Sequence, residues 1–211
     1  SADWRCTGYA LANGKAIIET AAPSSATTTA EGLVEIATQA EVNTGTDTTR
    51  SITPATLAGA SLGGKILQIV NTQYSSVGTT TSAVAHDDSI PQNTEGGEFM
   101  TRAITPTASD STLHILVVCH AGYTNVGLSA SLFVDSTASA LATAYAGVNA
   151  AGMQATLNFR YVVSAASTSS RTYKVRGAAN GSGTFTFNGD ASSRKFGTSI
   201  KSSMTIYEVG A

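Results

Sequence analysis

The sequence predicts a mainly β protein: an antiparallel, jelly-roll-like β-sandwich over residues 63–211, preceded by a short segment mixing extended pieces and one-turn helices. Three observations carry this. The hydrophobic period changes to two after Gly63-Gly64 and keeps that value to the end of the chain. About nine short strands, parted by turn residues, follow that break, which is the spacing of a sandwich. Before it, two helix-start signals lie within residues 38–59, too close together for long helices.

In chain order, residues 1–20 hold Trp4, Tyr9 and a short helical-looking piece at 14–19. Residues 21–30, AAPSSATTTA, read as a low-complexity linker, which ends the first region at residue 30. Residues 33–37 are expected to be extended, because Gly32 discourages a helix there. Thr38 and Glu41 have capping-box spacing and predict a helix over 39–43, stopped by Gly45. Thr53 as N-cap and Pro54 at the first helical position predict a second, running to Leu57 and ending at Gly59. Leu33, Val34, Ile36, Val42, Ile52 and Leu57 have no partner surface within so short a piece. Burying one such side chain contributes roughly 1.5–3 kcal/mol, so association with copies of itself or with a neighbouring domain is expected.

Strands are expected at 65–71, 77–85, 99–105, 112–120, 127–134, 156–163, 171–177, 184–187 and 203–209. Residues 112–120 are apolar at alternate and intervening positions, which predicts a central strand covered on both faces. In 156–163, Leu157, Phe159, Tyr161 and Val163 face one way and Asn158 and Arg160 the other. The connection 134–153 interrupts the series, with a helical turn expected around 138–145.

Composition excludes several functions. Twelve Lys+Arg stand against 14 Asp+Glu, a formal net charge of -2. A nucleic-acid binder would carry a basic patch. The longest apolar run, 115–119, is far short of the roughly 20 residues of a membrane span. No signal peptide is visible in residues 1–20. Cys6 and Cys119 are read as free thiols, Cys119 in a buried strand. His114 and His120 share a strand face but lie roughly 20 Å apart by strand rise, too far for one metal. His86 beside Asp87 and Asp88 reads as a solvated turn rather than a calcium site. Glycosidic cleavage needs two facing carboxylates, and nothing selects a pair among Asp87, Asp88, Glu95, Glu98, Asp135 and Asp190. No nucleophile elbow, P-loop or dinucleotide fingerprint is present. No catalytic residue, metal or cofactor is therefore assigned.

Loop aromatics and amides are the better lead, since aromatic faces and Asn, Asp and Arg side chains hold sugars and anchor interfaces. Tyr123, Asn125, Tyr145, Asn149, Asp190 and Arg194 all fall in predicted loops, with Lys195 and Phe196 alongside. Shared placement at one end of the sandwich would make them a receptor face.

Two strings resemble known families. Residues 31–57, EGLVEIATQAEVNTGTDTTRSITPATL, are similar to the short repeat of tail fibres of tailed bacteriophages. The matching residues are Gly32-Leu33-Val34-Glu35-Ile36-Ala37-Thr38, Ala40-Glu41-Val42, Gly45-Thr46-Asp47, Arg50 and Ile52-Thr53-Pro54. The resemblance implies an intertwined homotrimeric stalk over 31–62 with Leu33, Val34, Ile36, Val42, Ile52 and Leu57 at the trimer interface. Residues 86–98, HDDSIPQNTEGGE, resemble a string of phage tail head domains, whose sandwich is similar to the tumour-necrosis-factor and complement-C1q trimers. Together they imply an extracellular virion protein, the outer part of a longer fibre, that attaches to a host cell-surface glycan or protein receptor. Its other partners would be copies of itself and the rest of the tail, with neither nucleic acid nor membrane insertion. A purely structural collar component and a glycan depolymerase are the alternatives.

Overall fold

The computed structural model describes residues 9–12, 15–18, 26, 32–60, 64–123, 127–147 and 152–211, of which 9–12, 15–18 and 123 are described by backbone alone. The chain divides into two compact units, Ser1–Ser61 and Leu62–Ala211.

In the first unit, strands β1 (Tyr9–Ala12) and β2 (Lys15–Ile18) pair antiparallel. This corrects the helical reading of 14–19. The two strands flank Asn13-Gly14, the dipeptide that hairpin turns favour, and Ile17-Ile18 are β-branched. Residues 33–37 are extended as expected, and Ile36 bridges Ser51 in parallel. Helix α1 (Gln39–Thr44) is closed at its start by a reciprocal capping box between Thr38 and Glu41, and at its end by Gly45 at φ 66°. Helix α2 (Pro54–Ala58) is capped by Thr53 and Thr56 in the same way. Arg50 ties these pieces together, pairing with Glu35 at 3.2 Å, Glu41 at 2.8 Å and Asp47 at 2.5 Å. Asp47 also accepts from the Thr49 N–H and hydroxyl, and these bonds with Arg50 hold its carboxyl well below the usual range. Polar groups are thus satisfied inside the unit while Leu33, Val34, Ile36, Ile52 and Leu57 stay exposed. Val42 differs from its companions in being half-buried.

The second unit is a sandwich of two antiparallel sheets. Its strands are β3 (Ile66–Tyr74), β4 (Gly78–Thr80), β5 (Gly97–Ile104), β6 (Thr112–Tyr123), β7 (Leu128–Val134), β8 (Ala142–Ala146), β9 (Met153–Ser164), β10 (Arg171–Ala179), β11 (Phe185–Phe187), β12 (Gly189–Asp190), β13 (Ser193–Arg194) and β14 (Ser202–Val209). One sheet runs β5-β10-β7-β8. The other runs β3-β14-β6-β11-β4, with β9 along the free side of β6. The core between them joins Leu113, Ile115, Val117, Met204 and Ile206 of one sheet to Met100, Leu132, Tyr173 and Val175 of the other.

Three expectations change. Strand β8 replaces the helical turn around 138–145: pairing with β7 from Leu132↔Ala142 to Leu128↔Ala146 overrides the helix propensity of its alanines. Strand β6 is central, but among the described residues of this unit it is covered on one face only. Its inward residues are buried, whereas Leu116 is exposed, along with Ile69 and Val162 on the same outer face. The strand expected over 77–85 shrinks to β4 and one bridge, Ala83↔Ala179.

Candidate functional site

The strand register settles which loops are neighbours. Strand β6 ends at Tyr123, opposite Met153 at the start of β9 and Phe185 at the start of β11. Strand β7 begins at Leu128, opposite Ala146 at the end of β8 and Ala179 at the end of β10. These strand ends make one end of the sandwich. The chain enters the unit at the other end, where the Gly64 N–H donates to Gly210 O and the Gly210 N–H to Lys65 O, beside the far end of β14.

Tyr145, Asp190 and Arg194 lie at the first end, as does the backbone of Tyr123. Asn125 and Asn149 fall outside the described residues. Rather than lying in loops, Tyr145 sits in β8 and Tyr123 closes β6, while Asp190 and Arg194 belong to the small β12–β13 hairpin. That hairpin rests on β6: a Cβ at Gly122 would come within 2.4 Å of Gly189 O, so only glycine admits the contact. Asn188 anchors the connection to β14. At φ 54°, its amide donates to Tyr74 O at 2.7 Å and Ser76 O at 3.1 Å, and its Oδ1 accepts from the Ser202 N–H and hydroxyl. Ala191, Ser192 and Phe196 also take positive φ, and Phe196 is 81% exposed. Non-glycine residues held in this region store strain, and such strain gathers at functional sites.

Two clefts open near this end, one on the outer face of each sheet. One, of about 400 Å³, is lined by His120, Gln154, Thr156, Ser199 and Lys201. Beside it Gln154 donates to Asp190 at 3.2 Å, and Lys195 pairs with Asp190 at 2.8 Å. The bond from Lys195, with that from Gln154, pulls the Asp190 carboxyl down. The other cleft, of about 440 Å³, is lined by Val84, His86, Asp87, Ser129, Thr143 and Tyr145 among others. His86 meets Tyr145 edge to face at 4.7 Å and 84°. Burial pushes the His86 pKa down, so its imidazole is neutral at pH 7. Neither His86 nitrogen has a hydrogen-bond partner among the described residues. The sequence string 86–98 pointed to this region, but the pairing of His86 with Tyr145 spans 59 residues of chain and only the β7–β8 register reveals it.

Every carboxylate with a shifted titration moves downward: Glu41, Asp47, Asp87, Asp190 and Glu208. Among the described residues, no group of three or more His, Cys, Asp or Glu converges on a common point. Cys119 is buried, which pushes its thiol up to about 12. Cys6 lies outside the described residues.

No protein-family model matches the chain, and no curated protein does. Among solved structures, dimeric latent PorU from Porphyromonas gingivalis is similar at a TM-score of 0.33 and 9% identity, over 71% of this chain and 14% of that one. The enzymatically active domain of tailspike protein 4 of bacteriophage CBA120 gives 0.25 and 16%, over 60% of this chain and 19% of that one. A structure of infectious bursal disease virus, Gt strain, gives 0.28 and 18%, over 64% and 38%. The chain therefore spans well under half the length of these proteins, and likenesses at such scores carry no argument about function.

Proposed function

We propose that the chain is an attachment protein of a bacteriophage tail, a homotrimer whose β-sandwich binds a host cell-surface receptor through its loop-bearing end. The observation that carries this reading is that Tyr145 and the Asp190–Arg194 hairpin both lie near the end of the sandwich opposite the point of chain entry, Tyr145 on the outer face of β8 and the hairpin against Gly122 on the outer face of β6. The resemblance of residues 31–57 to the tail-fibre repeat supplies the setting. Binding then works by avidity: three weak sites on one trimer, repeated over several fibres, raise effective affinity without strong single contacts.

The test is retention of the fluorescently labelled chain on a panel of bacterial cells. Wild type is expected to be retained on a subset of strains, and the triple variant Tyr123→Ala, Tyr145→Ala, Arg194→Ala to lose retention while keeping its mass in light scattering. Equal retention of both proteins would favour a structural collar role. Release of reducing ends from host polysaccharide would overturn the non-enzymatic assignment.

A further inference from the structure

We infer that the cleft lined by His86, Asp87, Ser129, Thr143 and Tyr145 is a subsite for an uncharged saccharide ring. This rests on the attachment reading and names the chemistry of one part of that surface. Three observations converge.

Tyr145 is 62% exposed, which is unusual for a large ring, and it borders the cleft. An aromatic face of this kind takes the C–H face of a pyranose. The cleft's volume of about 440 Å³ lies within the range of small-ligand sites.

The polar groups match hydroxyls. A neutral imidazole offers one donor and one acceptor, and both His86 nitrogens are shielded from solvent without a partner among the described residues. Unpaired polar groups in that position cost free energy until they are matched. A sugar hydroxyl both donates and accepts, so it matches whichever nitrogen the imidazole turns toward the cleft on binding. Ser129, nearly buried, donates a long 3.4 Å bond to Ala178 O and accepts none among the described residues.

Charge selects among sugars. The lining contains Asp87 and neither lysine nor arginine. An acidic sugar or a phosphate would meet one like charge and no counter-charge, so uncharged rings are preferred.

The experiment is an array of immobilised bacterial surface polysaccharides of neutral and of acidic composition, probed with the full chain. The variants are Tyr145→Ala, Tyr145→Phe and, as a control at the far end of the sandwich, Asp110→Ala. Wild type is expected on neutral polysaccharides. Tyr145→Ala should weaken that binding by about tenfold, with Tyr145→Phe within about threefold and Asp110→Ala likewise. Neutral-glycan binding that Tyr145→Ala leaves unchanged overturns the subsite and leaves the attachment reading standing. Binding to acidic polysaccharides alone overturns the uncharged class. Binding to neither, in a chain that is retained on cells, overturns the saccharide inference, whereas absence of retention on cells defeats the attachment reading itself.

Discussion

The residue that most defines the far end of the sandwich is Glu208, which is fully buried. Burial alone would raise its pKa, but it accepts from Gln68 Nε2 at 2.6 Å, Ser111 Oγ at 2.7 Å, the Thr107 N–H at 2.9 Å and the Ala108 N–H at 3.0 Å. Those bonds outweigh desolvation and bring the carboxyl down to about 2. The carboxylate thus fastens the 105–111 connection to β14 and β3. Replacing it with alanine strands four donors, and Glu208→Ala is expected to cost about 3 kcal/mol in urea unfolding. The folded-state value lies below the ordinary glutamate value of 4.5, so the contribution is complete above pH 4.5 and disappears as the pH falls from 4.5 towards 2. Thermal melts at pH 6 and pH 3 should show a smaller pH difference in Glu208→Gln than in wild type. Nothing in the sequence marked Glu208: a Glu in an alternating strand reads as solvent-facing until the crossing loop that caps it is known. Asn188 was equally silent, although an Asn directly after an apolar strand is the residue best suited to a left-handed turn.

Strands and caps were readable where local chemistry decides them. The Thr38–Glu41 box, the Thr53 cap and the Gly45 stop all act within one turn, and all three occur where the residues indicate. Strand β9 likewise alternates as written, with Leu157, Phe159, Tyr161 and Val163 turned inward. Strand β8 was not readable, because ATAYA becomes a strand only through the β7 edge beside it. For β6 the apolar run was correct evidence of centrality and poor evidence of double coverage. Its two faces can be told apart experimentally. Ile115 lies in the core and Leu116 on the open face, at 36% exposure. Ile115→Ala should cost about 2–5 kcal/mol, and Leu116→Thr about 0.5 kcal/mol or less, in urea unfolding of the head. A large loss from Leu116→Thr would mean that another surface covers the outer face in solution.

The two units differ in what they can hold alone. Residues 62–211 enclose a continuous core drawn from both sheets, which is the requirement for independent folding. Within the described part of the first unit, the buried apolar residues are Ala37 and Ala60, two small side chains. Fixing one residue's backbone costs roughly 1–2 kcal/mol, and nothing of that size is returned by alanine burial. The Arg50 ion pairs are largely solvent-accessible and add little each. The missing surface must therefore come from outside the 32–60 segment, and its own apolar side chains, Leu33 at 64% and Ile36 at 61% exposure, are the natural complement when like chains meet. We accordingly expect light scattering at micromolar concentration to give a mass near three chains, and Leu57→Asp with Ile52→Asp to shift it toward one chain without unfolding the head. A chain cut at Leu62 should remain folded and lose the trimer. A monomer whose 32–60 amides resist hydrogen exchange would show that the segment is stable by itself, and the stalk would then have no physical reason to assemble.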